Sequence, residues 1–239
     1  MHELNNRGEA ASSPDMANTK ILSIQIKPDG LYFYASGEKE CVRKISRGHD
    51  YPAESVNEFL ASFSRSAETT ERIGVNLVTD KVVIVPPWFP EERDAWQSAF
   101  AFVSQKLSEG EEVVKLIAPC GKRVLIAVEK PLLDSLSENL PVKPEFLHPY
   151  FSAIPTSGTA LFYVTIYDNM SFILLKDKNA GLLSADALPT VDFPTILLHI
   201  NRLISANKLG KIKMAVAGPH MGDSADKLAI YFPDIEVIL

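Results

Sequence analysis

The stretch that decides the fold is Lys20–Ile45, which reads KILSIQIKPDGLYFYASGEKECVRKI. It contains β-rich segments separated by two sets of turn residues, Pro28-Asp29-Gly30 and Gly37-Glu38-Lys39. Proline and glycine supply the backbone angles that tight turns need, so these breaks have a physical cause. The stretch therefore predicts a three-stranded meander.

A helix is predicted after the meander, with Asp50 as its N-cap and Pro52 in its first turn. Its apolar residues recur at spacings of three and four, which gives one stripe for packing against the meander: Val56, Phe59, Leu60 and Phe63. Strand signals then return on both sides of Thr79-Asp80-Lys81.

The rest of the first half predicts a second helix, two more strands and a short helix. The second helix begins at Pro90, and its expected buried residues are Trp96, Ala99, Phe100 and Val103. The strands are VVKLIA and RVLIAV, and the short helix covers Leu132–Leu140. The proline-rich stretch PVKPEFLHPYFSAIP follows and is expected to be a connector.

After the connector the same plan begins again. The stretch TALFYVTIYDNMSFILLKDKNAGLLSA predicts another meander. A helix with an apolar stripe is predicted to begin at Asp192 and Pro194. A strand KIKMAVAG, a helix over Gly222–Phe232 and a last strand IEVIL complete the order β-β-β-α-β-α-β. In the superposition of the halves, Ile24, Ile26 and Asp29 correspond to Val164, Ile166 and Asn169.

This duplicated unit resembles the actin-like ATPase fold, in which two ribonuclease-H-like halves face each other across a cleft. The stretch VIVPPWFPEERDAWQSA is similar to a Val-Pro-x-x-Phe segment and its Arg-bearing helix in chaperone-type members, with Arg93 one position early. The similarity to the fold covers residues 19–239. The whole chain is similar to an uncharacterised bacterial family of unknown function with a degenerate version of this fold. It is more distantly similar to actin-like assembly proteins of type IV pili, which are often scaffolds.

The resemblance implies an α/β fold with mixed sheets and a defined domain organisation. We expect a flexible leader over 1–18, a first ribonuclease-H-like subdomain over 19–145, a connector over 146–158 and a second subdomain over 159–239.

Active members of the fold carry an Asp-x-Gly pattern at the first turn of each half, for a Mg²⁺-bound water and for close approach to phosphates. Both turns depart from this pattern. Gln25 and Lys27 occupy the acidic and first glycine positions of one half, and Thr165 and Tyr167 occupy those of the other. We therefore expect no catalytic residues and no bound metal.

The third landmark of the family is a strand that ends in two glycines against the adenosine. Here the strand runs into MAVAGPHMGDSADKL, where Gly218 matches the first glycine and Pro219 replaces the second. Proline lacks a donor N–H and adds a ring where close approach is needed. We expect an ordinary bend at this corner, followed by a helix start at Gly222 with Asp223 or Ser224.

Composition and cysteine usage limit the partners. The net charge of −6 and the pI of about 5.4 argue against a nucleic-acid-binding face. The polar leader and the short apolar runs predict neither a secretion signal nor a membrane span. Cys41 and Cys120 form no CxxC pair, so we expect two reduced packing residues in a cytoplasmic protein.

The sequence gives little support for other kinds of catalytic or metal site. A ribonuclease-H-type nuclease needs converging carboxylates, and the first strand supplies none, although Glu58 and Asp80 are candidates elsewhere. The histidines show neither HExxH nor i, i+4 spacing; His220 stands out only by its place beside the expected cleft. There is no GxSxG elbow and no Walker loop.

Two functional hypotheses remain. The first is a non-catalytic actin-like module that binds a protein or peptide partner through its cleft or a sheet edge, with no cofactor. The alternative is a divergent Mg·ATP-binding ATPase or phosphotransferase. In that case a defined set of residues faces the nucleotide: Lys27, Asp29, Gly30, Asp168, Asn169 and Gly218.

Overall fold

The computed structural model confirms the first meander. Its described residues are 21–35, 41–48, 53–66, 72–103, 105–117, 122–152, 161–167, 169–176, 181–210, 212–218 and 221–237. Strands β1 (Ile21–Lys27), β2 (Gly30–Ala35) and β3 (Cys41–Ser46) pair antiparallel in chain order. Lys27 is paired with Gly30, so the tight turn falls where the proline and glycine of the sequence predict it.

The first sheet is completed by two parallel strands. Strands β4 (Gly74–Leu77) and β8 (Glu145–Leu147) extend the meander in the order β3-β2-β1-β4-β8. Helix α1 (Ala53–Ser66) connects β3 to β4, and it packs against α3 (Lys130–Asn139). Val56 and Leu60 on α1 are fully buried, as the apolar stripe predicts.

The second sheet repeats this topology. Strands β9 (Phe162–Ile166), β10 (Ser171–Lys176) and β11 (Leu182–Leu188) form the meander, and β12 (Met214–Ala217) and β13 (Ile235–Val237) add the parallel strands. The order β11-β10-β9-β12-β13 matches that of the first sheet position by position. The other elements are α4 (Pro149–Ser152), α5 (Phe193–Ala206) and α6 (Met221–Tyr231). The internal duplication is therefore present in the fold.

The additional strands of the first half form a small sheet of their own. Strands β5 (Val82–Val85), β6 (Glu111–Ile117) and β7 (Arg123–Glu129) pair antiparallel in the order β5-β7-β6. Helix α2 (Arg93–Phe102) packs on this inserted sheet through Ala99 and Phe100. Val103, expected on the same buried side, is 44% exposed because the helix ends at Phe102 and the chain turns away from the sheet.

One hydrophobic core joins the two halves. It contains Leu31 and Phe33 of the first sheet together with Tyr163, Phe172 and Leu174 of the second. A separate core lies between the other face of the second sheet and the helices α5 and α6. Burying each large side chain contributes about 1.5–3 kcal/mol, so the shared core holds the halves together strongly.

Several local expectations can be compared with the structure. Asp192 caps α5 as predicted, because its carboxylate accepts the backbone N–H of Thr195 at 3.1 Å. Part of the stretch expected to be a connector instead forms β8 and α4, because β8 completes the parallel ladder beside β4. Cys41 is exposed on the edge strand β3, so its expected packing role is wrong. Asp50, Pro52, Cys120 and the side chain of Phe63, for which the sequence also makes predictions, lie outside the described residues.

Candidate functional site

The two hairpin turns occupy equivalent places in the two sheets. Lys27 pairs with Gly30 across the first turn, and the backbone N–H of Tyr167 donates to the carbonyl of Met170 across the second at 2.9 Å. This agrees with the superposition inferred from the sequence, in which Asp29 corresponds to Asn169. Each residue of the first turn therefore has a counterpart in the second.

Asp29 forms a polar cluster on the surface of the first turn. Its carboxylate accepts hydrogen bonds from Tyr32 at 2.5 Å and from Lys44 at 2.8 Å. Partial burial opposes ionisation of Asp29, but these two hydrogen bonds outweigh it and hold its pKa below the usual value. Asp29 is therefore already paired on its own hairpin.

Lys27 and Gly30 have clear structural roles. Lys27 is only 3% exposed, and its Nζ lies 4.2 Å from the centroid of the Tyr32 ring, a cation–π contact. Gly30 has a φ of +154°, and a Cβ there would lie 2.3 Å from the backbone oxygen of Ile45. The glycine is thus needed for the close approach of β3, whether or not a ligand is present.

The second turn is closed by buried side chains. Tyr167 is 5% exposed and Met170 is 1% exposed, and both belong to the core shared by the halves. The Tyr167 hydroxyl accepts a hydrogen bond of 2.6 Å from Nδ2 of Asn76 on β4. Asn169 is exposed, and Asp168 lies outside the described residues. The position of the family's glycine is therefore occupied by a ring that contacts the opposite half.

Gly218 ends β12 in a conformation that few other residues adopt. Its φ is +111°, and a Cβ would lie 2.1 Å from the carbonyl oxygen of Ile166. The glycine thus permits β12 to pass close to the end of β9. Pro219 and His220 lie outside the described residues, and Asp223 lies exposed in the first turn of α6. The acidic side chain at that helix start interacts favourably with the positive end of the helix dipole.

The junction between the halves is filled by an aromatic cluster that includes His148. The centroids of the His148 and Tyr150 rings lie 4.6 Å apart, and the two rings are tilted by 45°. The His148 ring also contacts Phe172 edge-on, with 5.1 Å between the centroids. Tyr167 also contacts Phe172 edge-on, at 6.0 Å. Thr165, at the family's acidic position, donates its hydroxyl to the Pro149 carbonyl at 3.2 Å. These side chains pack at the junction of the two halves, where the resemblance predicts a cleft.

His148 is a neutral structural residue. It is 1% exposed, and burial lowers its pKa to about 3. Its Nδ1 accepts the backbone N–H of Tyr150, so the proton is on Nε2, which lies 3.2 Å from the Thr79 carbonyl. His148 therefore links β10 to the segment after β4.

Among the described residues, those at the two turns do not fit the donor set that a Mg·ATP site in this fold requires. Gln25 accepts from Tyr34 at 3.5 Å and carries no charge, and Arg93 donates to the carbonyls of Ser108 and Glu111. Within the described ranges, no group of three or more His, Cys, Asp or Glu side chains is placed to hold a metal ion.

No helix of the described residues combines the length and apolar character needed to cross a membrane.

A pocket of about 210 Å³ lies beside the first turn, within the first half. It is bounded by the ends of β1 and β4 on one side and by the inserted sheet on the other, and Lys27 and Leu77 line it. Two ion pairs line it, Arg47 with Glu129 and Lys81 with Glu111. The first ion pair joins the inserted sheet to the segment after β3. The second lies within the inserted sheet, because Lys81 directly precedes β5 and its carbonyl accepts the N–H of Ala127 on β7.

Sequence reasoning missed several residues of this region. Asn76 is a lone polar residue in the apolar strand GVNL, and His148 lies in the proline-rich stretch, so each carried a weak signal of a buried polar contact. Glu111 and Glu129 carried none, because acidic residues at strand ends are common and their partners are far away in the chain. Only the tertiary structure brings these two acids together.

Comparisons with known proteins support the fold. No family model matches the chain, and no curated protein matches it. A crystal structure of a Bacteroides thetaiotaomicron protein with an actin-like ATPase fold and unknown function is similar, with a TM-score of 0.65, 14% identity, and coverage of 93% of this chain and 91% of that one.

Two further solved structures align more loosely. They are the cytoplasmic domain of EpsL, an inner membrane component of the type II secretion system of Vibrio cholerae (TM-score 0.43, 11% identity, coverage 90% and 84%), and ethanolamine utilization protein EutJ from Carboxydothermus hydrogenoformans (TM-score 0.40, 8% identity, coverage 91% and 84%). The topology and the similarity to the Bacteroides structure together show that the chain has an actin-like ATPase fold.

Proposed function

We propose that this protein is a non-catalytic member of the actin-like fold that binds a protein or peptide partner and uses no nucleotide. The observation that carries the proposal is the position of Tyr167. At the place where active members need a glycine, its ring is buried and its hydroxyl contacts Asn76 across the junction. A triphosphate in the cleft would have to displace this ring and the aromatic cluster behind it.

The charges around the turns support the same proposal. Asp29 is paired with Lys44, and Lys27 is held against Tyr32, so neither side chain reaches a ligand without losing existing contacts. We also infer a cytoplasmic location in a bacterium, and the net charge of −6 favours a protein partner over nucleic acid.

One end of the inserted sheet offers a surface for such a partner. Val85, Arg123 and Ile117 lie side by side across its three strands. Ile117 is 80% exposed, and Trp88, three residues beyond Val85, is 81% exposed. Exposed Trp and Ile side chains beside charged residues are typical of the anchor positions of protein interfaces.

The experiment that tests the lack of nucleotide use is a thermal-shift measurement with and without Mg·ATP and Mg·ADP. We expect no change in Tm and no phosphate release, because a ligand that binds the folded state raises Tm. An upward shift that Lys27→Met abolishes would contradict the proposal and favour the divergent ATPase instead.

The partner surface is tested by affinity capture from the lysate of the source organism, with quantitative mass spectrometry. We expect Trp88→Ser and Ile117→Ser to remove the same captured protein. Phe102→Ser is the matched control, because Phe102 is 91% exposed but lies at the end of α2, near Gln105 and Asp80. Equal loss of the captured protein with all three variants would show that the capture reflects nonspecific hydrophobic adsorption.

A further inference from the structure

The pocket beside the first turn lies where open α/β sheets bind small molecules. It opens at the carboxyl ends of the parallel strands β1 and β4. Ile26 and Lys27 of β1 line it, as do Leu77 of β4 and the following Val78. From this point the chain runs to β2 on one side of β1 and later returns to β4 on the other. Crevices at such points are the usual ligand sites of these sheets.

The size of the pocket limits what it accepts. A volume of about 210 Å³ corresponds to about seven water molecules at their share of liquid volume. This is enough for a molecule of amino-acid size and much too small for a nucleoside triphosphate.

The two walls of the pocket carry opposite charges. Glu111 and Glu129 lie directly opposite each other on β6 and β7, so the inserted sheet presents two neighbouring carboxylates. The facing wall carries Lys27 and Arg47. Asp80 and Lys81 lie directly before β5, where the Lys81 carbonyl accepts the N–H of Ala127 on the inserted sheet. Adjacent like charges destabilise a strand pair, and the two ion pairs beside the pocket offset this cost.

These charges are partly shielded from water. The side chains of Lys81 and Glu111 are 22% and 17% exposed, and those of Arg47 and Glu129 are 33% and 22% exposed. A lone anion at Arg47 would displace Glu129, and a lone cation at Glu129 would displace Arg47, so each exchange loses one ion pair for the one it gains. A ligand that carries both charges replaces both partners of the pair. A ligand with one charge of each sign meets an opposite charge on each wall.

We propose that this pocket binds an amino-acid-sized zwitterion, with the ligand carboxylate toward Arg47 and Lys81 and its ammonium toward Glu111 and Glu129. This inference does not depend on the proposed partner surface, which lies at the other end of the inserted sheet. It assigns no reaction to the ligand.

The test is a binding screen of the intact chain against the twenty L-amino acids, by thermal shift and then by titration calorimetry. The matched probes are the N-acetyl derivative and the carboxamide of every amino acid that binds, because each lacks one of the two charges. We expect at least one free amino acid to bind with a Kd below about 1 mM and both blocked forms to bind at least tenfold more weakly.

Two variants locate the binding in the pocket. Arg47→Met and Glu129→Gln are each expected to weaken it at least tenfold. The matched controls are Arg72→Met and Glu145→Gln, which break an exposed ion pair of the same chemistry outside the pocket. Circular dichroism and the Tm of each variant without ligand identify any variant that fails to fold, and Lys81→Met then replaces it.

Three results would overturn the inference. The first is that no amino acid binds with a Kd below about 1 mM. The second is that a blocked form binds as tightly as the free amino acid, which removes the requirement for two charges. The third is that the pocket variants bind as well as the two controls, which places the ligand elsewhere.

Discussion

The hydroxyl of Tyr167 accepts a hydrogen bond of 2.6 Å from Nδ2 of Asn76, which lies 91 positions earlier in the chain and in the opposite half of the molecule. Asn76 is 9% exposed, and its Oδ1 has no hydrogen-bond partner among the described residues. This contact therefore satisfies one side of a buried amide and joins the two halves at the position of the expected cleft.

Removal of the Tyr167 hydroxyl is expected to be costly. Tyr167→Phe leaves the Asn76 amide group buried without this partner, so we expect the free energy of unfolding to fall by about 1–3 kcal/mol. The measurement is equilibrium unfolding in urea. In the double variant with Asn76→Leu, the polar group is gone as well, and we expect a loss smaller than the sum of the single losses. Additive losses would show that the two residues are not coupled.

Burial of neutral His148 predicts a pH dependence of stability. Its pKa is lowered from 6.5 to about 3 in the folded protein, so between these values the unfolded chain binds a proton that the folded chain excludes. Stability is therefore full above pH 6.5 and falls on acidification, by about 1.4 kcal/mol per pH unit. From pH 6.5 to pH 5 we expect a loss of about 2 kcal/mol from this residue.

The control for this pH dependence is His148→Gln, which keeps a side-chain N–H for the Thr79 carbonyl but does not titrate. Urea unfolding at several pH values should show a flatter profile for the variant. If both proteins lose the same stability between pH 6.5 and pH 5, His148 does not cause the dependence.

Gly218 is expected to be intolerant of any side chain. Gly218→Ala places a Cβ against the Ile166 carbonyl at a φ of +111°, and we expect a loss of about 3 kcal/mol or more. Gly210→Ala is the matched control, because a Cβ at Gly210 meets nothing within 4 Å. Thermal unfolding of both variants decides the point, and an equal Tm would refute the close approach of β12 to β9.

The exposed residues of the inserted sheet are expected to be dispensable for folding. Trp88→Ser and Ile117→Ser should each change the free energy of unfolding by less than about 0.5 kcal/mol, because both side chains lie in water. Phe100→Ala, in the buried core of the same sheet, should cost about 3–5 kcal/mol. Large losses for the exposed variants would mean that these side chains pack in the folded protein.

Much of the architecture was predictable from local patterns. The turn at Asp29-Gly30, the cap at Asp192 and the repeat of the meander each follow from short-range chemistry that the sequence displays. The prediction was wrong where pairing with a distant strand decides whether a segment is a strand or a loop. The proline-rich stretch contains β8 because β4 offers a free edge there, and that edge is not visible in the local sequence.

The candidate site was only partly predictable. The substitutions at Lys27 and Tyr167 are visible in the sequence, and with them both turns depart from the Asp-x-Gly pattern of the fold's active members. The partners of these residues are not visible. Tyr32 beneath Lys27 and Asn76 beside Tyr167 are brought there by strand register and by the packing of the halves.

The sequence by itself determined the order of the elements, the duplication and the loss of the phosphate-binding residue types, because turns, caps and apolar stripes act over a few residues. The tertiary structure alone decided that an aromatic cluster fills the junction and that Glu111 and Glu129 pair with Lys81 and Arg47 beside a small pocket. These contacts join residues far apart in the chain, and their geometry exists only after the sheets have packed.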